Sequence, residues 1–542
     1  MKRLMLAAVL VLCVSVPHLR AQNPDVRFEL GLRLRAFETA LAVHDDAAAR
    51  KRAVPELKTA TTEFLSPAGK TTEAARHLDR ARFALLSDKE PPAELLWAAS
   101  LSVRSAAKLL DVSAEKLPVT VRAFYAVPGG PPEKARVRVS LLAGGKVVGA
   151  AQTVELEKVP LEFDLPLKGH DEGDYRLRCE ILQGDKVLAA TEQGVSFARE
   201  LDARVKKLQA AVEDFKGKPK TTDTATLARL ADLLAALAAK KPQETSYPAA
   251  RLFNEAEEVV QAAKAGKPFY GQKKPGQFWL TLPTEPAAPV RLLAPAAAKK
   301  GEPLPLVVAM HGVGGSDNIF FDGYGNGLAV RLCEERGWLL VGTRHALLDL
   351  AFDLEGAIDE VNKLYPVDRR RVFVLGHSLG AARVVGAASA KPKQVLAVAA
   401  LAGGGTVKAS DELKDVAFFV GVGKEELGFL LQGARKLNAD LKDAGVKTVE
   451  LKEYPDLEHL MIVQRALPDV FAFFDAAAKK RGAPSRPQPA PASLRACRRL
   501  AVSQEARLAA GPLTPLGEPP AIRRNTIPGA RGVVIRRTCC DW

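Results

Sequence analysis

The stretch Val372-Phe-Val-Leu-Gly-His-Ser-Leu-Gly380 constrains this chain more than any other. Its four leading apolar residues read as a buried strand, and the Ala-rich text from Ala381 reads as a helix. Between them Gly376 and Gly380 flank Ser378 at two residues on either side. A Cβ at either glycine would collide with the neighbouring strand or helix, so this spacing requires a strand, a tight turn and a helix in immediate succession. Such a turn holds the Ser378 hydroxyl up and exposed. The pattern is short, and its context decides what it means.

That context begins after Gly266-Lys-Pro268, where strands and helices alternate as in an α/β domain. Phe278 to Leu282 and Val290 to Leu293 read as an opening pair of strands. Leu304 to Met310, Trp338 to Gly342, Val372 to Leu375, Val395 to Leu401, Val416 to Val422 and Val449 to Glu453 follow. Helical stretches separate them at Leu328 to Arg336, Asp353 to Leu364, Ala381 to Ala390, Phe429 to Ala444 and Met461 to Lys479. Eight strands are expected, with the serine turn after the fifth.

A chain of 542 residues is too long for one ordinary core. Residues 1–21, a charged start followed by the apolar run Leu4 to Val16, read as a secretory signal peptide, too short to span a bilayer. Export to the periplasm or the medium is therefore expected, without stable membrane insertion. Residues 22–115 have helical spacing, with Leu30, Leu34, Phe37 and Leu41 on one face as a packing stripe. In residues 116–199 the period changes to two. Val119, Val121, Ala123 and Tyr125 alternate with polar residues, and Gly144-Gly145 and Gly184-Asp185 mark turns, which predicts a small immunoglobulin-like β-sandwich. Asp171-Glu-Gly-Asp-Tyr175 resembles a tyrosine corner. Such a module is a spacer or the seat of a polymer or protein partner. Residues 200–266 predict a helical hairpin or three-helix element packing on the N-terminal helices, and residues 267–482 are the α/β domain. The Pro/Arg-rich tail, 483–542, has too little apolar surface to offset its ordering entropy.

The formal charge of +15 invites a nucleic-acid reading. Ten arginines against three acidic residues in the last sixty positions place much of that excess in the tail, and basic clusters interleaved with aromatics are absent. Nucleic acid is not an expected partner. The six cysteines form neither a disulfide framework nor a metal spacing.

Residues 269–480 resemble the secreted serine esterases of the α/β-hydrolase superfamily, in the group of polyhydroxybutyrate depolymerases, feruloyl esterases and dienelactone hydrolases. The resemblance is carried by Pro305-Leu-Val-Val-Ala-Met-His-Gly-Val-Gly-Gly315, by Tyr365-Pro-Val-Asp-Arg-Arg-Arg371 ahead of the serine turn, and by Tyr454-Pro-Asp-Leu-Glu-His459 ahead of the last helix. It covers about two fifths of the chain and implies a triad in the order Ser, acid, His. Ser378 is the implied nucleophile and His459 its base. The acid should follow the seventh strand, where the text reads Lys424-Glu425-Glu426-Leu427 and no Asp occurs. Glu426 is the expected acid, with Glu425 as the alternative. The implied oxyanion donors are the backbone N–H groups of Val313 and Leu379. His311, Gly312, His377, Phe320 and Tyr324 are candidates for the pocket, as is His345, although a structural role is the simpler reading of the three histidines. The substrate implied is a small or polymer-linked carboxylic ester, and acyl transfer by such a triad needs no metal or organic cofactor. Two rivals differ in kind. A prolyl-oligopeptidase-like peptidase shares the triad, but the N-terminal half lacks propeller repeats. An exported binding protein with a degenerate hydrolase domain would fit the missing Asp.

Overall fold

The computed structural model describes residues 24–66, 69–345 and 352–481. The expected signal peptide and the C-terminal tail lie outside the described residues.

Four helices open the chain: α1 (Pro24–Val43), α2 (Ala47–Leu65), α3 (Thr71–Leu86) and α4 (Ala93–Ser100). Helix α2 starts where the Asp46 carboxylate accepts the Ala49 N–H at 2.8 Å, satisfying one of the unpaired donors of the first turn. The helical region ends at Ser100, earlier than its spacing suggested. Leu101 and Val103 are buried on one face of β1 (Leu101–Ser105), which pairs antiparallel with a later strand, and β2 (Leu109–Asp111) follows. The helical reading failed there because a stretch this short carries no decisive period.

The strands β3 (Lys116–Ala123), β4 (Ala135–Ala143), β5 (Lys146–Glu155), β6 (Leu161–Pro166), β7 (Gly173–Gln183) and β8 (Lys186–Ala198) complete two sheets. Their orders are β1-β3-β6 and β2-β8-β7-β4-β5. Leu117, Val119 and Val121 from the first sheet share a core with Val137, Val139 and Leu177 from the second. The Tyr175 hydroxyl donates to the Asp171 carbonyl at 3.1 Å and accepts the Asp171 N–H at 3.0 Å, closing the corner that the sequence suggested. Cys179 is buried and free.

Helices α5 (Leu201–Asp214), α6 (Thr222–Ala238) and α7 (Ala249–Lys264) follow. The α/β domain then contributes β9 (Gly276–Leu282), β10 (Ala288–Ala294), β11 (Leu304–Met310), α8 (Ile319–Asp322), α9 (Tyr324–Arg336), β12 (Leu339–Thr343), α10 (Leu354–Leu364) and β13 (Val367–His377). It ends with α11 (Leu379–Ala390), β14 (Ala397–Leu401), β15 (Ala417–Gly423), α12 (Gly428–Asp443), β16 (Val449–Tyr454) and α13 (Ile462–Lys480). One eight-stranded sheet results, ordered β16-β15-β14-β13-β11-β12-β10-β9. Strands β11 to β16 pair in parallel, and β9 and β10 are antiparallel additions at one edge. Parallel strands of this kind need both faces covered, and β11 is buried along its whole length.

The alternation along β11 divides the two cores. Leu304, Leu306, Val308 and Met310 join the core that contains α5 to α7. Val307 and Ala309 join the core that contains Phe37, Leu41, Leu57 and Leu78 of the N-terminal helices. The two helical groups therefore lie against opposite faces of the sheet and do not pack on one another as expected. Each has an apolar stripe, and the parallel sheet offers two faces to receive them. Helix α6 also covers the edge strand, where the Thr226 hydroxyl accepts the Thr281 N–H at 3.0 Å and Arg229 donates to the Leu280 carbonyl at 2.7 Å.

A buried ionic group ties the N-terminal helices to the β-sandwich. Arg33 on α1 reaches Asp79 on α3 at 3.0 Å, and it also donates to the carbonyls of Ala99 and Leu101. Glu29 pairs with Arg33 and accepts from Ser102 at 2.6 Å and Arg104 at 2.7 Å. Removing one partner from such a group leaves buried charge uncompensated. Arg33→Ala is expected to lower unfolding free energy by about 3–5 kcal/mol, read from denaturant melts of the full chain.

Candidate active site

Ser378 stands between β13 and α11 with φ 58° and ψ −120°, a conformation that non-glycine residues rarely adopt. Its neighbours leave no alternative. A Cβ on Gly376 would lie 2.1 Å from the Gly380 carbonyl oxygen, and one on Gly380 would lie 2.0 Å from that of Met310. The Ser378 N–H donates to the Leu401 carbonyl on the adjacent strand at 2.8 Å. Gly312 crosses over the serine so closely that a Cβ there would sit 2.9 Å from the Ser378 Cβ and 3.4 Å from its Oγ. The backbone of Gly312 and Val313 thus passes beside the hydroxyl, and Leu379 follows it at the start of α11.

His459 lies in the turn between β16 and α13, and its Nδ1 is 3.1 Å from Glu426 Oε1. Both side chains are buried. Glu426 also accepts the Leu427 N–H at 3.0 Å. Glu425 points elsewhere and pairs with Lys58 of α2 at 2.7 Å, half exposed. Of the two carboxylates left open by the sequence, only Glu426 meets the histidine. Burial lowers the His459 pKa, but the charge and hydrogen bond of Glu426, with the charge of Glu458, outweigh it and leave the imidazole above its ordinary value. Glu458 is itself pushed up to about 8, by burial first and then by the charge on Glu426. One of its oxygens accepts the N–H groups of Leu460 at 2.7 Å and Met461 at 3.1 Å, which shapes the turn that carries His459.

His377 supports that turn from below. Its Nε2 is 3.1 Å from the His459 carbonyl, which can only accept, so Nε2 carries the proton. Burial holds His377 well below its ordinary pKa and therefore neutral, which leaves Nδ1 to accept from the Tyr324 hydroxyl at 2.7 Å. Tyr324 is aimed by a turn of left-handed backbone, with φ of 39°, 72°, 55° and 73° at Tyr324, Gly325, Asn326 and Gly327. Two glycines and an asparagine are the residues that tolerate it.

Ser378, His459, His377, Tyr324, Gly312 and Val313 all line one cavity of about 190 Å³. Among the described residues the Ser378 hydroxyl closes no hydrogen bond; without substrate such contacts are often long and tighten on binding. Three expected pocket residues, Phe320, His311 and His345, do not line it. Phe320 is buried in the core, packing edge-on against Tyr324 with centroids 4.9 Å apart, because its side of the short α8 turns inward. His311 sits behind the loop, its Nδ1 donating to the Gly312 carbonyl at 2.7 Å and its ring stacked on His345 at 4.0 Å. Burial lowers its pKa to about 4.

The opposite wall was not anticipated. Arg27, Leu30, Gly31 and Leu34 of α1 line the cavity, as do Phe64 near the end of α2 and Leu78 of α3. The Leu30 to Leu41 stripe divides, with Phe37 and Leu41 buried in the core while Leu30 and Leu34 cover the cavity. Arg27 donates to the carbonyls of Gly314 at 2.8 Å and Gly315 at 3.1 Å and pairs with Glu244 at 2.7 Å. The spacing of residues 27, 30, 31 and 34 was the available signal, but a stripe over a cavity reads like a stripe over a core. No group of three or more potential metal ligands occurs among the described residues, and none of the described helices is long and apolar enough to cross a membrane. Tyr324→Phe would leave the buried His377 Nδ1 unpaired. It is expected to cost about 1–3 kcal/mol in stability and to lower kcat more than it changes KM, measured by thermal melts and steady-state kinetics.

No family model and no curated protein matches the chain. Solved structures that superpose on part of it include the fluorophosphonate-binding serine hydrolase FphF of Staphylococcus aureus (12% identity, 37% of this chain and 98% of that one, TM-score 0.31). A ferulic acid esterase (16%, 38% and 98%, TM-score 0.33) and a thermostable esterase (17%, 65% and 91%, TM-score 0.30) are similar at the same level. Likeness this remote bears on neither substrate nor mechanism, which rest on the geometry above. In the number of strands and in the turn that carries Ser378 after the fifth of them, residues 276–480 have the arrangement that the sequence led us to expect.

Proposed function

We propose that this chain is a serine hydrolase of carboxylic esters, working through an acyl-enzyme on Ser378 with His459 and Glu426. The observation that carries the reading is the 3.1 Å contact between His459 Nδ1 and Glu426 Oε1 beside the cavity that Ser378 lines. It supplies a carboxylate where the missing Asp had favoured a degenerate domain. Such a contact fixes the tautomer with a proton on Nδ1 and leaves Nε2 free to act as base.

In the first half-reaction Ser378 Oγ bonds to the ester carbonyl carbon and its proton passes to His459 Nε2. The carbonyl oxygen takes up the charge and is received by the N–H groups of Val313 and Leu379. The carbon–oxygen bond to the alcohol then breaks, and His459 returns the proton to the departing alkoxide. Water attacks the acyl-enzyme in the second half-reaction, giving a proton to His459, and the acid leaves as Ser378 is reprotonated.

Hydrolysis of p-nitrophenyl butyrate by the purified chain tests the reading. Ser378→Ala and His459→Ala should each lower kcat by about 10⁴-fold or more, and Glu426→Gln by about 10³–10⁴-fold. Glu425→Gln, which loses only a half-exposed ion pair, should stay near wild type. Equal rates for the wild type and Ser378→Ala would refute the proposal.

The pH dependence follows from the state of His459. A protonated imidazole cannot accept the serine proton, so kcat/KM should rise with pH through a midpoint above the ordinary histidine value of about 6.5. Burial alone would lower that midpoint, but the charge and hydrogen bond of Glu426 favour the protonated ring and raise it. Glu426→Gln removes that charge and should move the residual activity's midpoint downward, measured as kcat/KM from acid to alkaline pH.

A further inference from the structure

The geometry points to the N-terminal helices as the specificity wall of the site, making it a pocket for uncharged esters whose apolar half has about six to eight carbon atoms. This rests on the esterase reading of Ser378 and adds the substrate class to it.

The size argument is direct. The cavity measures about 190 Å³. A cavity of roughly 150 Å³ lined by aliphatic and aromatic residues holds one benzene molecule, so a single ring or a medium aliphatic chain is the matching occupant. Longer chains must leave it. One route is beside Gly31, which lines the cavity, is exposed, and has nothing within 4 Å of a Cβ built on it.

The chemical argument concerns what the wall can solvate. From the cap it presents Leu30, Leu34, Phe64 and Leu78, with no acidic side chain among the cavity's lining residues. Arg27 is its one permanent cation. That guanidinium already serves two carbonyls of the glycine loop and Glu244, so it has little left for a carboxylate or phosphate of the substrate. His377 is neutral and engaged at both nitrogens. The unpaired Thr61 hydroxyl is the one further polar group that the cap offers, and it is uncharged, so a charged substrate group would be desolvated without a counter-charge, which is costly, whereas an apolar one gains from burial.

Phe64 is the residue that fixes the depth. Its ring packs so tightly over Gly314 that a Cβ there would meet the ring at 2.5 Å, and the same ring lines the cavity. The ring of a helix from the first seventy residues is therefore set against the loop beside the nucleophile. Phe64 is only partly buried, so its truncation is expected to leave the fold intact, which a thermal melt of the variant checks.

The test uses the full chain with two ester series: p-nitrophenyl esters with acyl chains from acetate to palmitate, and acetates of alcohols over the same range. In at least one series kcat/KM should climb by about tenfold or more from the shortest member to a medium-chain optimum, then fall again for the longest. Esters carrying a terminal carboxylate should be poor. Phe64→Ala should move the optimum toward longer chains, and Gly31→Leu should raise KM for medium and long chains more than for acetate. Profiles flat in both series, or variants that scale every ester by one factor, would overturn the pocket assignment even with turnover that depends on Ser378. Absence of all turnover, together with no covalent labelling of Ser378 by an alkyl fluorophosphonate, would overturn the esterase reading and this inference with it.

Discussion

The site depends on holding Ser378 in a backbone conformation that its side chain disfavours. A non-glycine residue in such a region costs on the order of 1–3 kcal/mol, and the surrounding structure must over-determine it. Three restraints do so. The Ser378 N–H is held by Leu401 on the neighbouring strand, Gly380 is pressed against the Met310 carbonyl, and β13 is paired on both sides within the buried sheet. The position of Ser378 is therefore a property of the whole sheet, and sliding any central strand by one residue would displace the hydroxyl.

The same logic extends outward through polar contacts. Tyr324 holds His377, His377 holds the backbone of His459, and Glu426 holds its ring. Each link has its tautomer or protonation direction set by burial and by the partner's chemistry, so the chain reads in one sense only. Glu458, buried next to Glu426, shapes the same turn by accepting the N–H groups of Leu460 and Met461.

Much of the α/β half was legible because its signals are local. The glycines around Ser378, the apolar runs of the strands and the position of His459 ahead of the last helix all lie within a few residues of what they specify. Glu426 was legible as one of two adjacent carboxylates. Choosing between them needed the direction of two side chains, one toward His459 and one toward Lys58. Phe320 and Tyr324 could not be told apart either, since a left-handed turn sends one ring to the core and the other to the cavity. The cap was illegible for a different reason. Leu30 and Leu34 are apolar at helical spacing whether they cover packed side chains or a void, and the difference lies in a loop nearly three hundred residues away.

Arg27 fastens that loop, its guanidinium holding the carbonyls of Gly314 and Gly315 from 287 and 288 positions upstream. Synthesis runs from the N-terminus, and domains generally fold as units in that order. The cap residues are thus synthesised before the glycine loop that they hold, although the two complete one shared core. A chain cut between the two would lose the cavity's far wall and, with it, the cover over the sheet face to which Val307 and Ala309 belong.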